Sequence, residues 1–137
     1  MKDVKTQLRL AILICISMSC NREKSIGDLL QNKTWYWQSF SIDGEEQMSG
    51  FADCQKDNLL TFSDDNLVIT NEGNLKCEPN SRQIDEHMYS LSDNGSQLNI
   101  EGLANYEIVN LTDKNLVTRR EYNFKGEQVT EIITYAH

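Results

Sequence analysis

The pattern of apolar and polar residues changes at Lys33. From there onward, runs of four to ten residues rich in Val, Ile, Thr, Tyr, Phe and Leu alternate with clusters of Asp, Asn and Gly. Runs of this length, bounded by turn-forming residues, are typical of β-strands. The pattern predicts eight strands, at residues 33–42, 58–63, 66–71, 86–92, 96–101, 104–111, 115–124 and 127–136.

The connections between these strands predict how they pair. Most are short and contain residues that accept a positive φ or bond to their own backbone, as at Asp43-Gly44 and Lys125-Gly126. Parallel strands need a crossover of a dozen or more residues, so the neighbours must be antiparallel. An up-and-down sheet leaves two exposed edges unless it closes. We therefore predict an all-β fold, a small antiparallel eight-stranded barrel over residues 29–137, with room inside for packed side chains or one small ligand.

Two segments fall outside the strand pattern. Residues 25–30 predict one helical turn, with Ser25 as the N-cap and Asp28 at its third position. Residues 44–57 form the longest stretch without clear periodicity ahead of a strand. We expect this stretch to be a lid or an open-end loop, held near its base by Cys54.

The N-terminal segment has the three-part layout of an export signal. Early cations precede a short apolar run at residues 10–16, and small residues then lead to Cys20. This run is too short to span a bilayer as a helix, which takes roughly 20 residues. The segment resembles a bacterial lipoprotein signal, in which the cysteine after the cut is acylated.

This resemblance implies how the chain is processed and where it resides. We expect residues 1–19 to be removed, Cys20 to carry acyl chains such as palmitate, and residues 20–28 to form a lipid-anchored tether and helical turn. The expected location is the cell envelope, as an outer-membrane lipoprotein that faces the periplasm or the surface. The alternative is an ordinary secretory signal cut after Ser19, with an unmodified Cys20.

Cysteine usage fits an oxidising compartment. Cys15 lies within the signal, so Cys54 and Cys77 remain as an even pair once Cys20 is acylated. A metal site is the alternative, but neither cysteine has a CxxC partner or a histidine within five positions. We therefore predict a disulfide between Cys54 and Cys77, and no metal or other cofactor.

The charge of the chain narrows the range of partners. The net charge is −8, and loss of a signal with three cations and one acid leaves about −10. Nucleic-acid binding needs a patch of Lys and Arg, so this balance argues against it. Contact with a membrane would have to come from the acyl anchor. The sequence identifies no protein partner.

Particular stretches resemble the lipocalin-like domains of bacterial envelope lipoproteins. The similar stretches are Leu29 to Trp35, Cys54 to Phe62, Lys76 to Pro79, Tyr89 to Ser92 and Ile132 to Tyr135. The resemblance covers residues 29–135 and implies a small antiparallel barrel with the tryptophan at position 35 pointing inward. The family tends to have Gly shortly before this tryptophan, where the chain has Asn32. Asn tolerates the left-handed conformation that Gly supplies.

Aromatic residues on the predicted strands are the candidates for a ligand site, with one arginine. Alternation on the first strand puts Trp35, Trp37 and Ser39 on one face and Tyr36, Gln38, Phe40 and Ile42 on the other. A ligand cavity should be apolar with a few directing polar groups. The ligand-binding candidates are Trp37, Phe62, Tyr89, Tyr106, Arg120, Tyr122 and Tyr135.

Arg120 is the candidate for a cation inside the barrel. Alternation groups it with Leu116, Thr118 and Tyr122, whereas Arg119 falls on the solvent side. One interpretation is a structural plug, in which the arginine stacks on the Trp35 ring. The other is an arginine that holds an anionic head group in the cavity.

Recognisable catalytic motifs are missing from the sequence. It has no GxSxG elbow, no glycine-rich loop followed by lysine and no HExxH. We therefore expect a protein that is not an enzyme. The first hypothesis is a lipid-anchored binding protein for a small apolar molecule. The second is a filled barrel that serves as an accessory or interaction subunit of an envelope complex. A cavity of ~300 Å³ or more favours binding.

Overall fold

The computed structural model describes residues 24–137, so Cys15, Cys20 and the predicted signal at residues 1–19 lie outside the described residues. Within this range, the chain forms nine β-strands and two short α-helices. The helices are α1 (Ile26–Leu30) and α2 (Asp53–Lys56). The strands are β1 (Thr34–Ile42), β2 (Glu45–Glu46), β3 (Leu59–Phe62), β4 (Leu67–Asn71), β5 (Ile84–Leu91), β6 (Gln97–Ile100), β7 (Ala104–Leu111), β8 (Asn115–Phe124) and β9 (Glu127–Ala136).

The eight predicted strands form a closed antiparallel barrel, as the sequence predicts. From β3 to β9 each strand pairs with the next, β1 pairs with β3, and β9 pairs back onto β1, so the sheet has no open side. The two-residue β2 was not predicted; it pairs only with Ser41 and Ile42 at the end of β1. The barrel leaves no long unpaired edge among the described residues, which removes the usual site for edge-to-edge aggregation.

A bulge in β1 corrects the predicted faces of that strand. Trp37 pairs with Tyr135, whereas Ser39 pairs with Thr134, so Gln38 is an extra residue in the ladder. One extra residue reverses the alternation beyond it. Phe40 is therefore buried in the core together with Trp35, although simple alternation placed them on opposite faces.

One end of the barrel is closed by α1. The Ser25 side chain accepts a hydrogen bond from the Asp28 backbone N–H, and the Asp28 carboxylate accepts one from the Ser25 N–H, so the predicted N-cap is confirmed. Leu30 at the end of this helix is fully buried, and its carbonyl accepts a 3.0 Å hydrogen bond from Trp35 Nε1. We call the end of the barrel that α1 covers the closed end.

The cation beside Trp35 is Lys33, which corrects the predicted stacking of an arginine on this ring. Lys33 Nζ lies 5.7 Å from the centre of the Trp35 ring. Arg120 lies four residues along β8 from Leu116, the buried residue at the closed end. At about 3.3 Å per residue, that distance is ~13 Å, too far for a contact with Trp35.

An ion-pair cluster ties the start of the described chain to the closed end. Asp113, in the turn between β7 and β8, accepts from Lys24 Nζ at 2.7 Å and from Lys33 Nζ at 3.3 Å. These hydrogen bonds hold the pKa of the Asp113 carboxyl below its usual value. Lys24 therefore sits at the same end of the barrel as α1.

The long loops lie at the opposite end, which we call the open end. The Cys54–Cys77 disulfide joins α2 to the loop at residues 72–83. Asp57 accepts backbone hydrogen bonds from Asn74 and Leu75 in that loop, at 2.8 and 2.9 Å. Two loops at the open end are thus linked both covalently and by hydrogen bonds.

The predicted lid at residues 44–57 packs an aromatic ring onto the barrel interior. Phe51 meets the rings of Trp37 and Phe40 edge-on, with centroid distances of 5.5 and 5.2 Å. Such edge-to-face pairs are favourable beyond the apolar area that they bury. The loop covers part of the open end and is fixed there by Phe51.

Candidate functional site

A cavity of about 150 Å³ lies inside the barrel. Strands from most of the barrel contribute to its wall, and two loop residues, Asn58 and Leu103, complete it. The lining residues are Trp37, Asn58, Leu59, Leu60, Phe62, Thr70, Leu98, Ile100, Leu103, Tyr106, Leu116, Thr118 and Tyr135.

Strand pairing explains how these side chains meet. Tyr135 on β9 lies opposite Trp37 on one side and opposite Leu116 on the other. Residues that pair directly across an antiparallel ladder project from the same face. These three side chains therefore form one layer of the cavity wall. Thr118 lies in the next layer, between Ile108 and Ile133.

Of the predicted ligand-binding residues, Trp37, Phe62, Tyr106 and Tyr135 line the cavity. Tyr89 is buried but does not line it, because its ring packs edge-on against Phe62 at 5.1 Å toward the closed end. The Tyr89 hydroxyl donates to the Ser63 carbonyl at 3.0 Å and accepts from Gln31 Nε2. This arrangement gives Tyr89 a structural position in the closed end.

Arg120 and Tyr122 do not line the cavity but belong to a cluster closer to the open end. The Arg120 guanidinium lies 4.7 Å from the Tyr122 ring centre and 5.6 Å from that of Tyr106. Arg120 Nη2 donates to Glu131 Oε2 at 2.7 Å. We call Arg120, Tyr106, Tyr122 and Glu131 the Arg120 cluster.

Glu131 is the member of this cluster that sequence reasoning missed. It is only 4% exposed. Its place between Val129 and Ile133 on the inward face of β9 was the available signal, since alternation puts all three residues on one side.

The charge of Arg120 is balanced within the protein. Burial lowers the pKa of Arg120, but the hydrogen bond to Glu131 and the nearby tyrosines outweigh this effect and raise it. The guanidinium is therefore charged, and Glu131 compensates it. This pairing argues against the predicted role of Arg120 as a free cation for an anionic head group.

Two residues that line the cavity each carry a buried polar atom without a hydrogen-bond partner. Thr118 is 3% exposed, and its Oγ1 finds no hydrogen-bond partner among residues 24–137. The same holds for Asn58 Oδ1, in the loop just before β3. Sequence reasoning placed Thr118 on the inward face but singled out neither residue, because an unpaired atom cannot be read from alternation.

The two tyrosines of the cavity wall are neutral at physiological pH. Burial raises the pKa of Tyr135 above its ordinary value. Burial also raises the pKa of Tyr106, although Arg120 opposes the shift. No Lys, Arg, His, Asp or Glu lines the cavity, so its described wall carries no formal charge.

Comparison with known proteins identifies the family. No curated protein sequence matches the chain. A family model described as "Lipocalin-like domain" matches residues 32–118, more than half of the chain. The chain belongs to the lipocalin-like domain family. Its Asn32 has a φ of +56°, so it takes the left-handed conformation expected where the family tends to have Gly.

One solved structure that matches this lipocalin-like domain is the complex of bovine odorant binding protein with a selenium-containing odorant. The two chains are 16% identical, and the match covers 83% of this chain and 73% of that one, with a TM-score of 0.45. This similarity is too low to bear on the ligand of the present domain.

Other classes of site find no support in the described part of this lipocalin-like domain. Across residues 24–137, no group of three or more His, Cys, Asp and Glu side chains could hold a metal ion. Over the same range, no helix is both long and apolar enough to cross a membrane. The cavity is therefore the feature of the described residues on which a functional proposal can be built.

Proposed function

We propose that this lipocalin-like domain binds one small, mainly apolar molecule in its interior cavity. The observation that carries the proposal is an uncharged cavity walled by Trp37, Phe62, Leu98 and other apolar residues, together with the polar residues Thr70 and Thr118. Ligand sites in proteins combine these two properties, a mostly apolar wall and a few polar groups that orient the ligand.

The volume of the cavity limits the size of the ligand. At about 150 Å³ it is half of the ~300 Å³ expected for drug-sized ligands. An engineered cavity of about 150 Å³ lined by Leu, Ile and Phe in another protein binds benzene. We therefore propose a ligand the size of a single ring.

The small volume also favours the second hypothesis, a filled barrel that acts through its surface. Leu75, Leu103 and Phe124 are more than half exposed and all lie on loops or hairpin ends at the open end. Exposed apolar side chains of this kind can contact a protein partner. Absence of ligand binding in the experiment below would favour this second function.

The experiment uses the two tryptophans as reporters. Toluene is titrated into isotope-labelled protein while the indole N–H signals of Trp37 and Trp35 are followed by NMR. Trp37 lines the cavity, whereas Trp35 is fully buried at the closed end with its N–H bound to Leu30. We expect saturable shifts that are larger for Trp37 than for Trp35.

A matched pair of variants locates the binding. Leu98→Phe adds volume to a side chain of the cavity wall and should abolish the shifts. Met88→Phe makes a similar addition on an exposed position of β5 and should leave them unchanged. Absence of saturable shifts in the unmodified protein, or shifts that persist in Leu98→Phe, would contradict the proposal.

We also propose that the protein is a bacterial lipoprotein of the cell envelope, anchored through Cys20. Support comes from the sequence, where cations, a short apolar run and small residues precede this cysteine. In cells fed an alkyne-bearing fatty acid, the intact protein should acquire the label and fractionate with membranes. Cys20→Ala should lose both properties, and Cys15→Ala should serve as the control that keeps them. Equal labelling of the Cys20→Ala variant would contradict the anchor.

A further inference from the structure

Leu103 both lines the cavity and faces solvent. It lies in the turn between β6 and β7, at residues 101–103, and it is 57% exposed. The other residues that line the cavity are buried or half-buried. At Leu103, therefore, a single side chain separates the cavity from the solvent.

The strand beside this turn leaves a short gap in the barrel wall. β5 pairs with β4 along Ile84–Met88, but it pairs with β6 only at Tyr89–Leu91. Beyond these pairs, one hydrogen bond continues the ladder, from the Glu101 N–H to the Met88 carbonyl at 2.9 Å. Among residues 24–137, no strand therefore pairs with residues 84–87 of β5 on the side of the β6–β7 turn.

The cavity lies beside this gap. Thr70, which lines the cavity, pairs with Asp85 across the β4–β5 ladder, so the two side chains project from the same face. Asp85 is nonetheless exposed, and no residue of β5 lines the cavity. The barrel interior at the level of Thr70 is thus open to solvent on the β5 side, and Leu103 lies on the turn across the gap.

Side chains fill the other parts of the open end. Phe51 packs on Trp37 and Phe40 beside β1. The Arg120 cluster fills the part formed by β7, β8 and β9, where Glu131 is almost fully buried. The gap at β5 therefore belongs to a part of the open end that neither aromatic cluster covers.

We infer that the ligand enters through the gap between β5 and the β6–β7 turn, and that the Leu103 side chain is the gate of this entrance. The inference rests on the proposed function, to which it adds a route and a residue that controls it. Backbone hydrogen bonds hold the turn, from the Leu103 N–H to the Ile100 carbonyl and from the Glu101 N–H to the Met88 carbonyl. An exposed side chain still changes rotamer rapidly. Rotation of Leu103 would then open the entrance while the barrel keeps its structure.

Rates of ligand exchange test the gate, because a gate acts on entry as well as on release. Toluene is the probe, and its association and dissociation rates are measured from the line shape and relaxation dispersion of the Trp37 indole N–H signal. We expect Leu103→Ala to raise the association rate constant about tenfold and Leu103→Phe to lower it, within the roughly one to three orders of magnitude found among variants of one site. A residue that only contacts bound toluene would change the dissociation rate alone.

Phe124→Ala is the matched control. Phe124 is 56% exposed, almost as much as Leu103, and it lies at the open end without lining the cavity. This variant should exchange toluene at the rates of the unmodified protein. Phe51→Ala tests the competing route under the lid, and it should accelerate association less than Leu103→Ala does.

The outcomes separate this inference from the proposed function. If toluene binds but neither Leu103 variant changes the association rate, the inference is wrong while cavity binding stands. A larger acceleration in Phe51→Ala than in Leu103→Ala would also overturn the inference, in favour of entry under the lid. Absence of toluene binding in the unmodified protein would contradict the proposed function and the inference together. Because Leu103 is exposed on a turn, both of its variants should fold as the unmodified protein does.

Discussion

Trp35→Ala should lower the free energy of unfolding by about 3–5 kcal/mol, the range for removal of a large buried aromatic side chain. Trp35 is fully buried, and its indole N–H donates to the Leu30 carbonyl, so the substitution leaves a cavity and an unpaired carbonyl at the closed end. Such a loss is a large part of the stability of a small domain. Urea denaturation followed by circular dichroism measures it.

Two further variants separate the role of Trp35 from that of any aromatic residue on β1. Trp35→Phe keeps most of the apolar volume but removes the donor to Leu30, so its cost should lie clearly below that of Trp35→Ala. Tyr36→Ala changes the next residue, which is half exposed on the outer face, and should cost less than about 1 kcal/mol. Equal losses for Trp35→Ala and Tyr36→Ala would show that α1 and Trp35 do not close the barrel in solution.

Removal of the disulfide should have the second-largest effect on stability. The Cys54–Cys77 bond closes a loop with a sequence separation of 23 residues. In the chain-entropy model, a loop of this length contributes about 3 kcal/mol by restricting the unfolded chain. The double variant Cys54→Ser, Cys77→Ser should therefore unfold at a lower denaturant concentration, by an amount equivalent to that energy.

The same double substitution should also weaken ligand binding in the cavity. Asn58 lines the cavity wall two residues after the end of α2, the helix that carries Cys54. Loss of the bond frees this segment, so binding of toluene should weaken together with stability. Reductant should reproduce both effects in the unmodified protein and have no effect on the double variant. A double variant as stable as the unmodified protein would contradict the prediction.

Much of the fold follows from local sequence signals. Turn residues such as Gly126, alternation along β8 and β9, and the Ser25 cap all act over a few residues, so the sequence contains them directly. The closed barrel then follows from antiparallel pairing and the need to protect sheet edges.

Bulges are the part of the fold that alternation could not predict. Gln38 in β1 and Val109 in β7 are each inserted without a Gly or another local signal, and each reverses the inward set beyond it. Their positions depend on pairing with strands that are distant in the sequence. Phe40 was assigned to the wrong face for this reason.

The candidate site was predicted only in part. Alternation along a strand shows which face a side chain lies on, but it does not show the level of that side chain along the barrel axis. Trp37 and Tyr135 lie at the level of the cavity, whereas Tyr89 lies toward the closed end and Arg120 toward the open end. All four were assigned to the inward face, yet strand register decides their level, and register appears only in the assembled sheet.

Under the proposed anchor at Cys20, the ion pair between Lys24 and Asp113 would influence how the barrel stands on a bilayer. With acyl chains on Cys20, the four residues from there to Lys24 reach at most ~14 Å. Asp113 belongs to the end sealed by α1, so that end would rest against the lipid head groups, and the open end with its disulfide-linked loops would point into the aqueous compartment. A ligand would then enter the protein from water and not directly from the membrane to which the protein is anchored.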